Sequence, residues 1–280
     1  MARKQHLYPF WQADKPYLHN SQISDFRFRL LGYVMAFLAG AINAGGFFAV
    51  AHYTSHVTGS LSTAADVAYV GDWKMALFSL SYVLAFVLGA AHAGWIIMWA
   101  KRQRFYSAYG LSMWAEAGYL MLFGLSGWLL PMIKTWSVSW TQTFLLWLLC
   151  FIMGMHNTVM TVLSGSVIRS THMTGTATDL GIELAKILYY RHSSNPRLPD
   201  FRVNRPKLKL LLGMFCAFFG GGFIGAWGYH HAHYHFTIPV AVLLWIFGAG
   251  SIGYDVKIRL KLWLIKKINA KKRKASKHTS

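Results

Sequence analysis

Two short stretches of this chain carry residue types suited to holding a polar solute. They are His56-Val-Thr-Gly-Ser60 and His172-Met-Thr-Gly-Thr176. Each offers an imidazole, hydroxyls and a glycine that lets backbone approach closely. Acids follow: Asp66 after the first, Asp179 and Glu183 after the second. At about 100° per residue on a helix, His172, Gly175, Asp179, Glu183 and Lys186 share one narrow stripe. His56, Gly59, Ser60 and Thr63 form the matching stripe, with Asp66 at its edge. In hydrocarbon each charge would cost roughly 2.5–3.5 kcal/mol at mid-depth, so such stripes must face protein or water. His56, Thr58, Gly59, Ser60, Asp66, His172, Thr174, Gly175, Thr176, Asp179 and Glu183 are therefore candidates to line a substrate path. The helix starts would offer free N–H groups to an anion. A structural account competes. Thr58 and Thr174 would cap helix starts, and Gly59 and Gly175 would serve packing. Asp179 and Glu183 would pair with Lys186 and Arg191 at a rim.

Other polar groups interrupt long apolar runs. Asn43, Asn157, Glu116 and His156 are expected to support the path. Glu116 fits a proton-relay carboxylate. It fits equally well as the partner of a buried His92 or His156. The run His230-His231-Ala-His233-Tyr-His235 holds imidazoles close enough for a transition metal. No acidic or Cys ligand adjoins it, so no metal site is assigned. Gly221 and Gly225, and Gly89 with Ala93, stand at small-xxx-small spacing and read as packing faces.

The elements that must position these groups follow from composition. The chain has 280 residues, of which 13% are charged and 55% belong to the AVILMFWYC set. Soluble domains carry about 25% charged residues. With 9 acids in all, the chain cannot cover an ordinary water-soluble globule. Disorder is excluded by the same numbers. The formal net charge of +19 would suit nucleic acid, but the basic residues cluster between long uncharged runs. That is the pattern of cytoplasmic loops in a multi-pass membrane protein. Cys150 and Cys216 both lie in apolar runs and build neither a disulfide framework nor a zinc site.

Six stretches reach the roughly 20 apolar residues that a spanning helix needs. They are Leu30–Val50, Met75–Ala100, Gly110–Leu130, Thr141–Leu163, Leu208–Tyr229 and Phe236–Tyr254. His56–Val70 and His172–Tyr190 are shorter and more polar. If these two enter and leave on one side, only Lys74 and Lys134 of the loop cations fall outside. If both cross, giving eight spans, Lys101, Arg102, Arg104 and Arg169 fall outside. The Lys/Arg bias favours six spans with both termini cytoplasmic.

The chain also repeats itself. Gly40-Ala-Ile-Asn43 matches Gly154-Met-His-Asn157, and the two Thr-Gly motifs follow 13 and 15 residues later. Phe86-x-x-Gly89 matches Phe218-x-x-Gly221. Each half reads as a long helix, a short polar helix and two long helices. Three crossings per half, an odd number, require the halves to be inverted. The expected fold is an all-α transmembrane bundle of two inverted repeats, with six long spanning helices and two short re-entrant or broken ones. Its parts are a cytoplasmic extension 1–29, repeats 30–130 and 131–254, and a basic amphipathic tail 255–280.

The ordered pair of His-x-Thr-Gly-Ser/Thr motifs, each after a helix carrying Asn43 or Asn157, resembles the YoaK-like family. These are small bacterial inner-membrane proteins catalogued as a domain of unknown function. The resemblance spans roughly Leu30 to Tyr254. It implies a multi-pass protein of the bacterial cytoplasmic membrane and supplies no substrate. Members more often show Asp where Asn43 stands, and Asn where Ser60 stands.

The function expected is a transporter or channel for a small solute, with the path between the repeats. One alternative is an intramembrane metal-dependent enzyme using His56, His172, Asp179 and Glu183, although no HExxH or GxSxG signature supports it. Another is a structural or assembly partner without a transported ligand. Partners expected are the lipid bilayer, anionic lipids at the basic tail and a small solute, with a homo-oligomer compatible. No nucleic acid and no cofactor are expected.

Overall fold

The computed structural model describes residues 26–50, 53–129, 138–165, 169–189 and 201–278. Most of the expected N-terminal extension, with Lys134, Arg191 and Arg197, lies outside them. The regular structure among these residues is all helical, with no strand among them. In chain order the helices are α1 (Phe26–Val50), α2 (Val57–Tyr69), α3 (Trp73–Arg102), α4 (Ala108–Leu129), α5 (Val138–Leu163) and α6 (Met173–Tyr189). Then come α7 (Arg205–Ala232), a 3-10 turn (His233–Phe236) and α8 (Thr237–His278). The expected basic tail continues α8 as helix.

Four described segments are long and apolar enough to cross a membrane: Arg29–Phe48, Trp73–Arg102, Trp140–Leu163 and Arg205–Lys261. The last contains both α7 and the start of α8. The expected span Gly110–Leu130 forms the 22-residue α4 but is not among the four. Glu116 and several hydroxylated side chains lower its hydropathy. α2 and α6 have 13 and 17 residues, short of a crossing. α3 and α7 turn large apolar side chains outward, including Leu84, Val87, Trp95, Phe219, Phe223 and Trp227. An apolar surface this broad is foreign to a water-soluble monomer and suits lipid.

Local sequence sets the helix starts. Asp72 caps α3 by accepting from the Met75 N–H at 3.0 Å. Asn204 caps α7 by accepting from the Lys207 N–H at 3.1 Å, with a proline in the first turn. Gly71, at φ +88°, makes the tight turn from α2 to α3 that a side chain would strain.

Glycine faces set the packing. α1 lies along α7: Tyr33 meets Gly213, Phe37 meets Gly221, Ala41 meets Gly225 and Gly45 meets Tyr229. Both numbers rise together, so these helices run parallel. α3 lies along α5 in the same sense. Trp147 Nε1 donates to Ser81 Oγ at 2.7 Å, Gly89 meets Phe151, and Thr158 Oγ1 donates to the Ala90 carbonyl at 3.3 Å. A Cβ on Gly40 would land on the Phe218 carbonyl, and one on Gly221 on the Phe37 carbonyl. The matched positions Gly154 and Gly89 meet the Phe86 and Phe151 carbonyls in the same way. The first helix of each half thus interlocks with the third element of the other. α4 and α8 run antiparallel, with Gly110 at Ser251 and Gly124 at Thr237. Trp114 and Trp245 each donate an indole N–H to the other's carbonyl, at 2.9 and 3.2 Å. α4 is antiparallel to α3 and to α5 as well: Tyr119 meets His92 and Phe151, Tyr109 meets Lys101, and Glu116 meets His156.

The core lies where α1, α4 and α5 meet. Met35, Leu38, Ile42, Leu120, Phe123, Leu149 and Ile152 are fully enclosed there. Glu116 and His156 sit in this core. Glu116 Oε1 lies 2.6 Å from His156 Nδ1, and His156 Nε2 donates to the Met35 carbonyl at 2.9 Å. A carboxylate so enclosed requires this kind of partner.

Candidate functional site

Each half builds the same small device between its first long helix and its short helix. Asn43 Oδ1 accepts from the Ser55 N–H at 3.1 Å, from Ser55 Oγ at 3.0 Å and from Thr54 Oγ1 at 3.5 Å. Asn157 Oδ1 accepts from the Thr171 N–H at 3.2 Å and from Ser170 Oγ at 3.2 Å, and its Nδ2 donates to Thr171 Oγ1. The amide oxygen binds donors that precede a helix and so fixes where that helix begins. The imidazole of His56 then lies over Gly59, and that of His172 over Gly175, leaving no room for a Cβ at either glycine. Ser60 Oγ donates to the His56 carbonyl at 3.3 Å, and Thr176 Oγ1 to the His172 carbonyl at 3.0 Å. Both hydroxyls are buried. Thr58 and Thr174 stay exposed, and α2 is N-capped by His56 without a side-chain bond.

The two devices face one cavity of about 660 Å³. The first half lines it with Asn43, Tyr53, Ser55, His56, Val57 and Thr58. The second half supplies Asn157, Thr158, Thr161, Arg169, Thr171, His172, Met173 and Thr174. Phe86, Ala90 and Phe218 complete the wall. Ligand pockets fall between about 300 and 1,000 Å³ and are mostly apolar with a few placed polar groups. This one fits that description, and no carboxylate lines it.

The remaining candidates lie elsewhere. Gly59, Gly175, Ser60 and Thr176 shape the helix starts behind the lining. Asp66 is exposed on α2, away from the cavity. Asp179 pairs with Lys207 at 3.2 Å. Glu183 Oε1 accepts from Lys186 Nζ at 2.7 Å, and its Oε2 from the Asn204 N–H at 2.9 Å. Glu183 therefore docks α6 against the start of α7. Burial works to raise its carboxyl pKa. The Lys186 hydrogen bond and the Asn204 N–H, helped by the charges of Lys186 and Lys207, outweigh burial and hold it below the ordinary glutamate value. Glu116 reaches the cavity only indirectly, since its partner His156 precedes Asn157. His92 takes no part in that pair and meets the Tyr119 hydroxyl at 3.3 Å.

The four residues of the enzyme alternative are split: His56 and His172 line the cavity, whereas Asp179 and Glu183 turn to lysines. Among the described residues no group of three or more His, Cys, Asp or Glu could hold a metal ion. In the histidine run, His231 Nδ1 lies 2.8 Å from the Trp227 carbonyl and His230 packs on Phe48.

Several lining groups carry no signal in the motifs. Arg169 precedes the second motif and reads from sequence as a loop cation. Phe86 and Phe218 read as apolar helix residues, although their place in the repeat was a usable clue. Asp255 was also unforeseen. It is buried and accepts from the N–H groups of Tyr106 and Ser107, at 3.1 and 2.7 Å, holding the start of α4. One turn further on, Arg259 donates to the Gln103 carbonyl at 3.0 Å and lies 3.7 Å over the Phe105 ring.

A family model described as a protein of unknown function (DUF1275) matches residues 31–249. No curated protein and no solved structure matches the chain.

Proposed function

The chain belongs to the DUF1275 family of proteins of unknown function, and from that premise we propose that it passes a small solute across a membrane between its two halves. The single observation that carries this is the cavity, apolar with a few placed polar groups, to which both halves contribute the same residue types at matched positions.

The proposed topology has six crossings, by α1, α3, α4, α5, α7 and α8, with α2 and α6 entering and leaving on one side. The helix directions support it. α1 runs parallel to α7, α3 and α5 run parallel, and α4 opposes α3, α5 and α8. Equivalent helices of the two halves then point in opposite directions, which is the geometry of inverted repeats. The Lys/Arg bias supports cytoplasmic termini in a bacterial inner membrane. The paired Thr-Gly motifs support taking the family to be the YoaK-like one. Repeats 30–130 and 131–254, followed by a tail that meets anionic lipid, complete this reading.

The test is osmotic swelling of liposomes holding the purified protein, in iso-osmotic potassium acetate or potassium benzoate with valinomycin to carry the counter-ion, or in glycerol or glycine. At least one solute is expected to enter faster than in protein-free liposomes. Gly175→Leu, which drives a side chain into the His172 ring, is expected to abolish that excess while the protein still purifies as a folded monodisperse species. Swelling no faster than in protein-free liposomes for every solute would sink the passage reading.

A further inference from the structure

The charge of the cavity lining is one-sided. Arg169 lines it, and His56 and His172 add two imidazoles. The acids nearest in sequence are engaged or turned away: Asp179 on Lys207, Glu183 on Lys186 and Asn204, Asp66 exposed outside the lining. Arg169 makes no ion pair among the described residues. A cation solute would meet an arginine and no counter-charge. An anion would meet an arginine, hydroxyl donors from Thr58 and Thr174, and the first turns of two helices. Each of those turns presents N–H groups without intrahelical partners. The rest of the wall is apolar, with Phe86 and Phe218 on it.

Resting on the passage reading above, we propose that this cavity selects a small organic anion. The charged group, a carboxylate, sulfonate or phosphate, sits against Arg169 and the starts of α2 and α6. The apolar body lies against Phe86 and Phe218. Arginine suits this task because its planar fork matches an oxyanion group and stays charged at every relevant pH. Arg169 is exposed, as are His56, His172, Thr58 and Thr174, so the preference rests on the one-sided sign of the lining and not on burial of the charge.

Two thiol reagents of opposite charge test the inference without knowledge of the natural solute. In the full-length protein carrying Cys150→Ala and Cys216→Ser, a single cysteine is placed at Thr58 or Thr174. Each is treated with 2-sulfonatoethyl methanethiosulfonate and with its trimethylammonium-ethyl counterpart, the rates being normalised to a free thiol in solution. The anionic reagent is expected to react roughly tenfold faster at both positions. Adding Arg169→Gln is expected to remove most of that preference, and millimolar benzoate to slow the labelling where benzamide does not. Equal rates, or a preference for the cationic reagent, overturn the anion inference and leave the passage reading standing. Protection by benzamide as strong as by benzoate, or a preference that survives Arg169→Gln, overturns it as well. Failure of both reagents to reach either cysteine defeats the passage reading and the inference together.

Discussion

The two short helices begin alike and end differently. At their starts, α2 and α6 share a preceding asparagine that gathers two hydroxylated neighbours, a histidine folded over a glycine, and a buried hydroxyl bonded one turn back. At their ends the likeness stops. α2 finishes at Tyr69, turns at Gly71 and gives way at once to α3, capped by Asp72. α6 runs on to Tyr189 and fastens to α7 through Asp179 and Glu183. The shared part faces the cavity and the differing part does not. The two starts are alike where they approach the cavity, and the two ends differ in how they are anchored. The acids that appear on the same helical stripe as the motif histidine therefore serve the second half's attachment and not the shared site.

The comparison breaks first if the halves are not equivalent where they interlock. Gly40→Leu and Gly154→Leu each push a side chain into a backbone carbonyl that cannot move aside. Each is expected to cost about 3 kcal/mol or to prevent folding, to a similar degree. Unfolding by sodium dodecyl sulfate in mixed micelles, followed by circular dichroism, measures this. One variant tolerated and the other lost would show that the two faces do not carry equal load.

A smaller effect tests the shared starts. Asn43→Ala and Asn157→Ala each leave two or more donors without their acceptor. Each is expected to lose about 1–2 kcal/mol and to loosen the helix that follows. Hydrogen exchange at Ser55 and Ser60, and at Thr171 and Thr176, whose N–H groups are bonded in the parent, reads the loosening directly. Equal protection in variant and parent would remove the asparagine from the device.

The smallest effect tests the ends. Glu183 has a lowered pKa, so it binds its proton more weakly folded than unfolded. Its contribution is present above the ordinary glutamate pKa and is lost as pH falls through the lowered folded value. Glu183→Gln keeps the shape, removes the charge and is expected to cost about 1 kcal/mol at neutral pH. It should also flatten the stability loss of the parent on acidification below the ordinary glutamate range. Asp66→Asn, at an exposed position of α2, is expected to leave stability within about 0.5 kcal/mol of the parent. A larger loss for Asp66→Asn than for Glu183→Gln would reverse the contrast drawn here.

Composition and apolar run length were enough to read the helices, their near order and the duplicated motif. Those signals are local, because a run of some twenty apolar residues is helical in lipid whatever its neighbours are. The spacing of Gly221 with Gly225 and of Gly89 with Ala93 marked packing faces, whereas Gly40 and Gly154 stood out only as repeated positions and their backbone contacts came from the tertiary structure. The asparagine devices were half legible: the residues stood out, but their role as collectors of donors 11–14 positions on did not.

Tertiary structure alone decided which faces met. Helical periodicity ranks the polarity of a face but does not name its partner. Asp179 and Glu183 therefore shared a stripe with His172 until Lys207, Lys186 and Asn204 drew them away. His156 reaches Met35 across 121 residues, and no local pattern announces such a contact. Arg169 and Phe218 read as an ordinary loop cation and an ordinary apolar residue, and only the crossing of the two halves brings them to one cavity. A side chain's type limits what it can bind, whereas what it does bind depends on groups that folding delivers from elsewhere in the chain.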